Sequence, residues 1–343
     1  MINSNSIQIM LKLRNILIAI LLLSSNTDVF AWGVYGHQHI NKAAIYALPA
    51  EIGIFFYVHT DFITEESVVP DIRKYTMNDN AEFPRHYIDL EAYNYTSPTE
   101  MPQTMDAAKV KYNNDTMQKY GILPWYIQDM MEKLTKAFKE KQKAEILFLA
   151  ADLGHYIADA QMPLHTSLNH NGQLSGQKGI HAFWESQLPE MFGSGYNLHV
   201  ENAHYIDNIT KTTWDFIAYS HKLADTLLSV EKTLLDTYPK DKIYLKDAEG
   251  KEVKNKYNQP IFSDEFAAEY HKQLNGMVEK QMKNAITHLS DFWYTAWVNA
   301  GKPDLRNLDT PSTIEEGNIK LQVDKVFWQK GQIPGLKTNN EFK

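Results

Sequence analysis

The 343-residue chain has no cysteine, so no disulfide can brace it and no thiolate can hold a metal; any zinc would have to be bound through nitrogen and oxygen. It has no surplus of positive charge either. The 34 Lys and Arg residues face 42 Asp and Glu, for a net charge of −8. That argues against a broad sequence-independent surface for phosphate backbones, though not against a small cationic site made by metal ions. Long hydrophobic runs are missing as well: the apolar stretch Ile16 to Leu23 stops at Ser24, well short of the roughly 20 residues that a membrane span needs. There is no Gly-rich phosphate loop, no internal repeat and no low-complexity block. Ser194, the only serine in a Gly-flanked stretch, has no neighbouring base.

The short apolar run follows Lys12 and Arg14 and leads to Val29-Phe30-Ala31, a pattern that reads as an export signal cut between Ala31 and Trp32 rather than as an uncleaved anchor. Losing Lys12, Arg14 and Asp28 from the 343 residues would take the net charge from −8 to −9 and leave 312 residues, enough for one large domain or two ordinary ones. The expectation is an exported product, periplasmic or secreted, with no transmembrane segment after signal removal and no stable protein partner implied.

Helical periodicity dominates what remains. Segment 125–141 spaces Ile127, Met130, Met131, Leu134 and Phe138 by three and four, and 143–160 repeats the pattern through Ile146, Leu149, Ala150, Leu153 and Ile157. A third helix is predicted over 274–297, stopped by Gly301 and Pro303, and a fourth over 205–235. Alternation is rare; 244–257 is the best hairpin candidate. Asn169 to Gly179 reads as a loop, and the polar chain after Pro303 as a tail that wraps the surface or moves. The organisation expected is all-α: a signal peptide at 1–31, a single multi-helix domain at 32–303 and a C-terminal tail at 304–343.

The thirteen histidines are unevenly placed. His155 and Asp159 lie four apart on a predicted helix and share a face, so they can share a metal. His165 follows just after Pro163, where that helix should end. His181 and Glu185 repeat the four-residue spacing. Any one of these side chains could be a cap or a packed ring, but oriented His and carboxylate pairs flanking a fifth donor suit a borderline cation such as zinc. His170, His199, His204, His221 and His288 lack an oriented carboxylate and read as structural or exposed; His39 should point away from His37, and His59 has no assigned role. Asp152 and Tyr156 are candidates to support the ligands from behind.

In chain order, Trp32-Gly33-x-x-Gly36-His37, Pro70-Asp71, His86-Tyr87-Ile88-Asp89, His155-x-x-x-Asp159, Pro163-Leu164-His165 and His181-x-x-x-Glu185 resemble the superfamily of zinc-dependent phospholipases C and single-strand-specific zinc nucleases, over roughly residues 32–190. The resemblance implies that family's all-α fold and three zinc ions. Asp71, His86, His155 and Asp159 would hold the first, and His165, His181 and Glu185 the second. The freed amine and carbonyl of Trp32, with His37 and Asp159, would hold the third. A free amine is a good ligand where an internal amide is not, which would explain a cut before Trp32.

The expected activity is hydrolysis of a phosphodiester by in-line attack of a zinc-bridging hydroxide, with Asp71 orienting the hydroxide or taking its proton. Arg73 and Lys74 stand where the nuclease branch carries an arginine, at Lys74's position, and either is a candidate to neutralise developing charge. Tyr87 and Asp89 fall where that branch stacks and hydrogen-bonds a base. The short Trp32–His37 spacing favours a nuclease acting on single-stranded nucleic acid; Glu185, aspartate in most nucleases, favours a phospholipase C acting on lipid head groups. A non-catalytic secreted zinc-binding protein is the rival from another class.

Overall fold

Apolar side chains repeating every three or four residues decide the architecture. In a computed structural model of the protein, residues 32–76, 79–255 and 259–336 are described; they are mostly helical and contain no strand. The expected export signal, 1–31, lies outside them. Four helices open the described residues: α1 (Gly33–Ala47), α2 (Ala50–Tyr57), α3 (Thr60–Glu66) and α4 (Val69–Thr76). The short α5 (Met105–Lys111) and α6 (Asn114–Tyr120) lead into the long antiparallel neighbours α7 (Leu123–Glu140) and α8 (Lys143–Gln161). After these come α9 (Ile180–Ala182), α10 (Leu188–Phe192), α11 (Ile209–Thr237), α12 (Asp264–Gln273), α13 (Met277–Asn299) and α14 (Pro311–Trp328).

α7 buries Ile127, Met130, Met131, Leu134 and Phe138, the stripe its sequence predicts. Lys141, at φ 53° in the left-handed region, ends it. α8 differs: every residue from Leu153 to Gln161 is buried, so its last turns run through the centre of the molecule and not along its surface. α13 packs against it, with Trp293 donating its indole N–H to the Ala150 carbonyl at 3.0 Å and stacking on Phe56 at 4.7 Å. Met162 is extended before Pro163, as a residue preceding proline should be, and this ends α8.

Three expectations are refined. The helix predicted over 274–297 begins only at Met277, because Asn275 and Gly276 turn through positive φ and separate it from α12. The hairpin candidate is a meander of isolated bridges pairing Tyr244 with Phe262, Lys246 with Glu252 and Lys254 with Pro260. The chain after Pro303 wraps the surface as α14, anchored by Trp328 stacked on Tyr46 at 5.7 Å and by Asp324, which accepts from the Tyr46 and Tyr57 hydroxyls.

Candidate metal centre

The central turns of α8 carry His155 and Asp159, and three other segments converge on them. α1 brings His37, α4 brings Asp71, and the 3-10 turn Phe83–Arg85 delivers His86. α1 reaches this close because Gly154 has no side chain: a Cβ there would meet Asn41 Oδ1 at 2.1 Å. Asn41 in turn donates to the Ile63 and Ala151 carbonyls, tying α1 to both α3 and α8. A second arm follows α8, where the 3-10 turn Pro163–Thr166 presents His165; His181 comes from α9 and Glu185 from the π-turn Phe183–Gln187 that joins α9 to α10.

Three sets of donors result, each within metal-sharing distance: His37, His155 and Asp159; Asp71, His86 and His155; and His165, His181 and Glu185. All these residues are buried except His181, which is partly exposed. They adjoin one another. Asp159 Oδ2 lies 3.0 Å from His86 Nδ1 and 3.3 Å from His155 Nε2, while Oδ1 lies 3.6 Å from His37 Nε2 and 3.8 Å from His165 Nδ1. Glu185 Oε2 stands 3.1 Å from His181 Nε2 and 3.6 Å from His165 Nε2. Asp71 Oδ1 is 3.5 Å from His86 Nδ1 and 3.8 Å from Lys74 Nζ.

Trp32 sits beside this centre. Its backbone N–H donates to Glu185 Oε2 at 3.2 Å, while its indole N–H is held by the Ala158 carbonyl at 2.5 Å. His37 joins His155 and Asp159, and the Trp32 nitrogen faces the set containing Glu185.

The residues fit zinc. Both ring nitrogens of His37 are buried without a hydrogen-bond partner, as are Asp159 Oδ1 and Glu185 Oε1, and buried polar atoms left so are costly unless another group satisfies them. Burial alone would push Asp159 up, but His155 and His165 beside it hold it well below the usual carboxylate range; His181 and His165 likewise keep Glu185 low against its burial. His155 is lifted to about 9 in spite of burial, by Asp159 and Asp71. His37 is driven well below its ordinary value by burial, with His155 adding to the effect. Carboxylate oxygens interleaved with imidazole nitrogens form the kind of donor set that a divalent borderline cation satisfies.

A cavity of about 390 Å³ opens over the centre, lined by His86, His165 and His181 together with Lys74, Tyr87 and Asp89. Tyr87 is fixed by its hydroxyl, which donates to the Lys119 carbonyl at 3.0 Å, and by Gly121, whose φ of +86° and bare Cα let the Tyr87 carbonyl pass where a Cβ would lie 2.0 Å away. Asp89 keeps Oδ1 unpartnered, and burial, followed by Glu91, lifts its carboxyl to about 7. The two expected cations part company. Lys74 lines the cavity, whereas Arg73 is held 2.5 Å from Asp152, 3.3 Å from Glu82 and 3.7 Å from Glu66, and does not line it.

Several contributors escaped the sequence reading. Phe83, Lys119, Asn171 and Gln259 line the cavity, and so does His170, whose carbonyl also takes the Nδ1–H of His181 at 2.8 Å. Phe83 and Lys119 lie on short helical turns and His170 and Asn171 in a loop, where no periodic signal marks them, and Gln259 arrives only through the meander. Glu82 could have been found: it stands four residues before His86, the spacing that singled out His155 with Asp159. His39 does point away from His37, its ring stacked on Tyr35 at 3.7 Å. His59 pairs with Asp309 at 3.0 Å. Comparison with protein-family models finds no match, and neither does comparison with curated proteins.

Proposed function

We propose that the protein is an exported phosphodiesterase carrying three zinc ions, with single-stranded nucleic acid as its substrate. One observation carries this reading: three sets of nitrogen and oxygen donors, two of them sharing His155 and the third adjoining through Asp159, at the floor of an open cavity. A purely structural zinc site is normally closed by four ligands around one ion; this centre is larger and accessible. Bound there, zinc would acidify a water molecule and neutralise phosphate charge.

The protein's own residues then have distinct tasks. His37, Asp71, His86, His155, His165 and His181 with Asp159 and Glu185 would hold the metal, and Trp32 would contribute its nitrogen beside Glu185. Asp71, buried at the edge of the centre and pushed up by that burial, orients the attacking water and takes its proton. Lys74, 3.8 Å from Asp71, counters charge that builds on the phosphoryl oxygens. Tyr87 offers a ring in the cavity wall and Asp89 a carboxylate oxygen with no partner, a pairing that suits the face and edge of a base.

Glu185 supports a second reading, a phospholipase C acting on lipid head groups. The purified zinc-loaded protein should therefore be assayed on single-stranded DNA, RNA and phosphatidylcholine, with Asp71→Asn as control. Cleavage of nucleic acid, lost in the variant, is expected. Cleavage of lipid alone would transfer the assignment to the second reading. No cleavage of any substrate, with one zinc or none per chain, would leave a non-catalytic zinc-binding protein.

A further inference from the structure

Imidazole rings in this centre are held in two different ways. His155, His165 and His181 each turn Nδ1 toward a backbone carbonyl, of Ser67 at 2.8 Å, His86 at 2.7 Å and His170 at 2.8 Å, respectively. A carbonyl only accepts, so Nδ1 carries the proton and Nε2 is left as the donor facing the centre. His86 is reversed. Its Nδ1 faces inward, 3.0 Å from Asp159 Oδ2 and 3.0 Å from His155 Nε2, and its Nε2 faces Glu82 Oε1 at 3.5 Å.

We propose that Glu82 is a positioning residue which sets the Nε2–H tautomer of His86 and so makes Nδ1 its metal-binding atom. The side chain of Glu82 is itself fully buried and fixed from several directions: Tyr156 donates its hydroxyl to Oε1, and Arg85 and Arg73 donate to Oε2 at 2.8 and 3.3 Å. That clamp aims Oε1 at His86 and keeps the carboxylate ionised. A carboxylate behind a ligating imidazole also makes the inward nitrogen more basic than a carbonyl would. Arg73 thus serves the site from behind, by holding Glu82.

This inference rests on the reading that the centre binds zinc, but its test does not depend on turnover. Nitrogen-15 spectra of the histidine rings in the zinc-loaded protein should show His86 protonated at Nε2, and His155, His165 and His181 at Nδ1. In Glu82→Gln, competition against a chromophoric chelator should reveal one zinc bound roughly 10- to 100-fold more weakly, the other two being little changed. An Nδ1–H tautomer at His86 would overturn the inference. So would a Glu82→Gln protein that melts lower without metal yet binds every zinc as tightly as the parent, since that marks a structural role alone. If the variant does not fold, the parent's spectra still decide. Failure to bind zinc at all refutes the proposed function instead.

Discussion

His37 Nε2 lies 3.6 Å from Asp159 Oδ1, and neither nitrogen of that buried ring has a hydrogen-bond partner. The ring is stacked on His155 at 3.9 Å, so it cannot turn to find one. Without metal this is a liability on the order of 1–3 kcal/mol for the unsatisfied polar atoms. His37→Leu should therefore melt higher than the parent in chelator and gain less than the parent when zinc is added. Paired thermal scans with and without zinc check this. A variant that simply melts lower in both conditions would show that the ring is packing and nothing more.

Arg73 and Lys74 are neighbours in the chain with separate consequences expected. Arg73→Gln leaves Glu66, Glu82 and Asp152 facing one another without their shared cation. Its side chain is about a quarter exposed, so a stability loss of about 2 kcal/mol is expected, below the range for fully buried pairs. Lys74→Met should fold normally and lose turnover. Denaturant titration beside kinetic assay separates the two; equal stability losses in both variants would contradict the division.

Glu231, on α11, is buried, and its carboxylate accepts from the Gln177 amide at 2.5 Å. Burial lifts it from 4.5 to about 7. Because the folded state holds the proton more tightly than the unfolded one, its contribution to stability is fully present below 4.5 and is lost as pH rises through about 7. Glu231→Gln should therefore stabilise the protein more at about pH 8.5 than at about pH 5.5, by on the order of 1–2 kcal/mol. Melting curves at the two values test it. A pH-independent difference would mean that the carboxylate is not titrating in the fold.

The helices were legible where one face is buried and the other wet, as in α7. They were legible at α8 too, although its last turns are buried all round, because the chain breaks cleanly at Pro163. The four-residue pairs His155 with Asp159 and His181 with Glu185 meet as their spacing requires. Spacing could not tell that Arg73 faces a nest of carboxylates while Lys74 faces the cavity: one residue along a helix is a rotation of about 100°, and what lies on each side depends on Glu82, past the end of that helix, and on Asp152, from a distant part of the chain. Nor could it show that the Trp32 nitrogen meets Glu185, 153 residues away, since that contact is made by tertiary packing alone. The fate of the tail was hidden for a related reason. α14 has little amphipathic contrast and is docked by a few anchors, Leu321 and Trp328 among them.

The wide turn at Phe183–Gln187 has a consequence of its own. A π-turn holds one residue more than the α-turn it interrupts, and Glu185 sits in its middle, with Trp184, Ser186 and Gln187 enclosed around it. Deleting a single amino acid there would let the helix relax to its ordinary winding and swing the carboxylate off its histidine partners, though every other donor remained in place. Inheritance of this centre is therefore tied to a count of residues as much as to their identity, and its weak point is a reading-frame-preserving loss of three nucleotides.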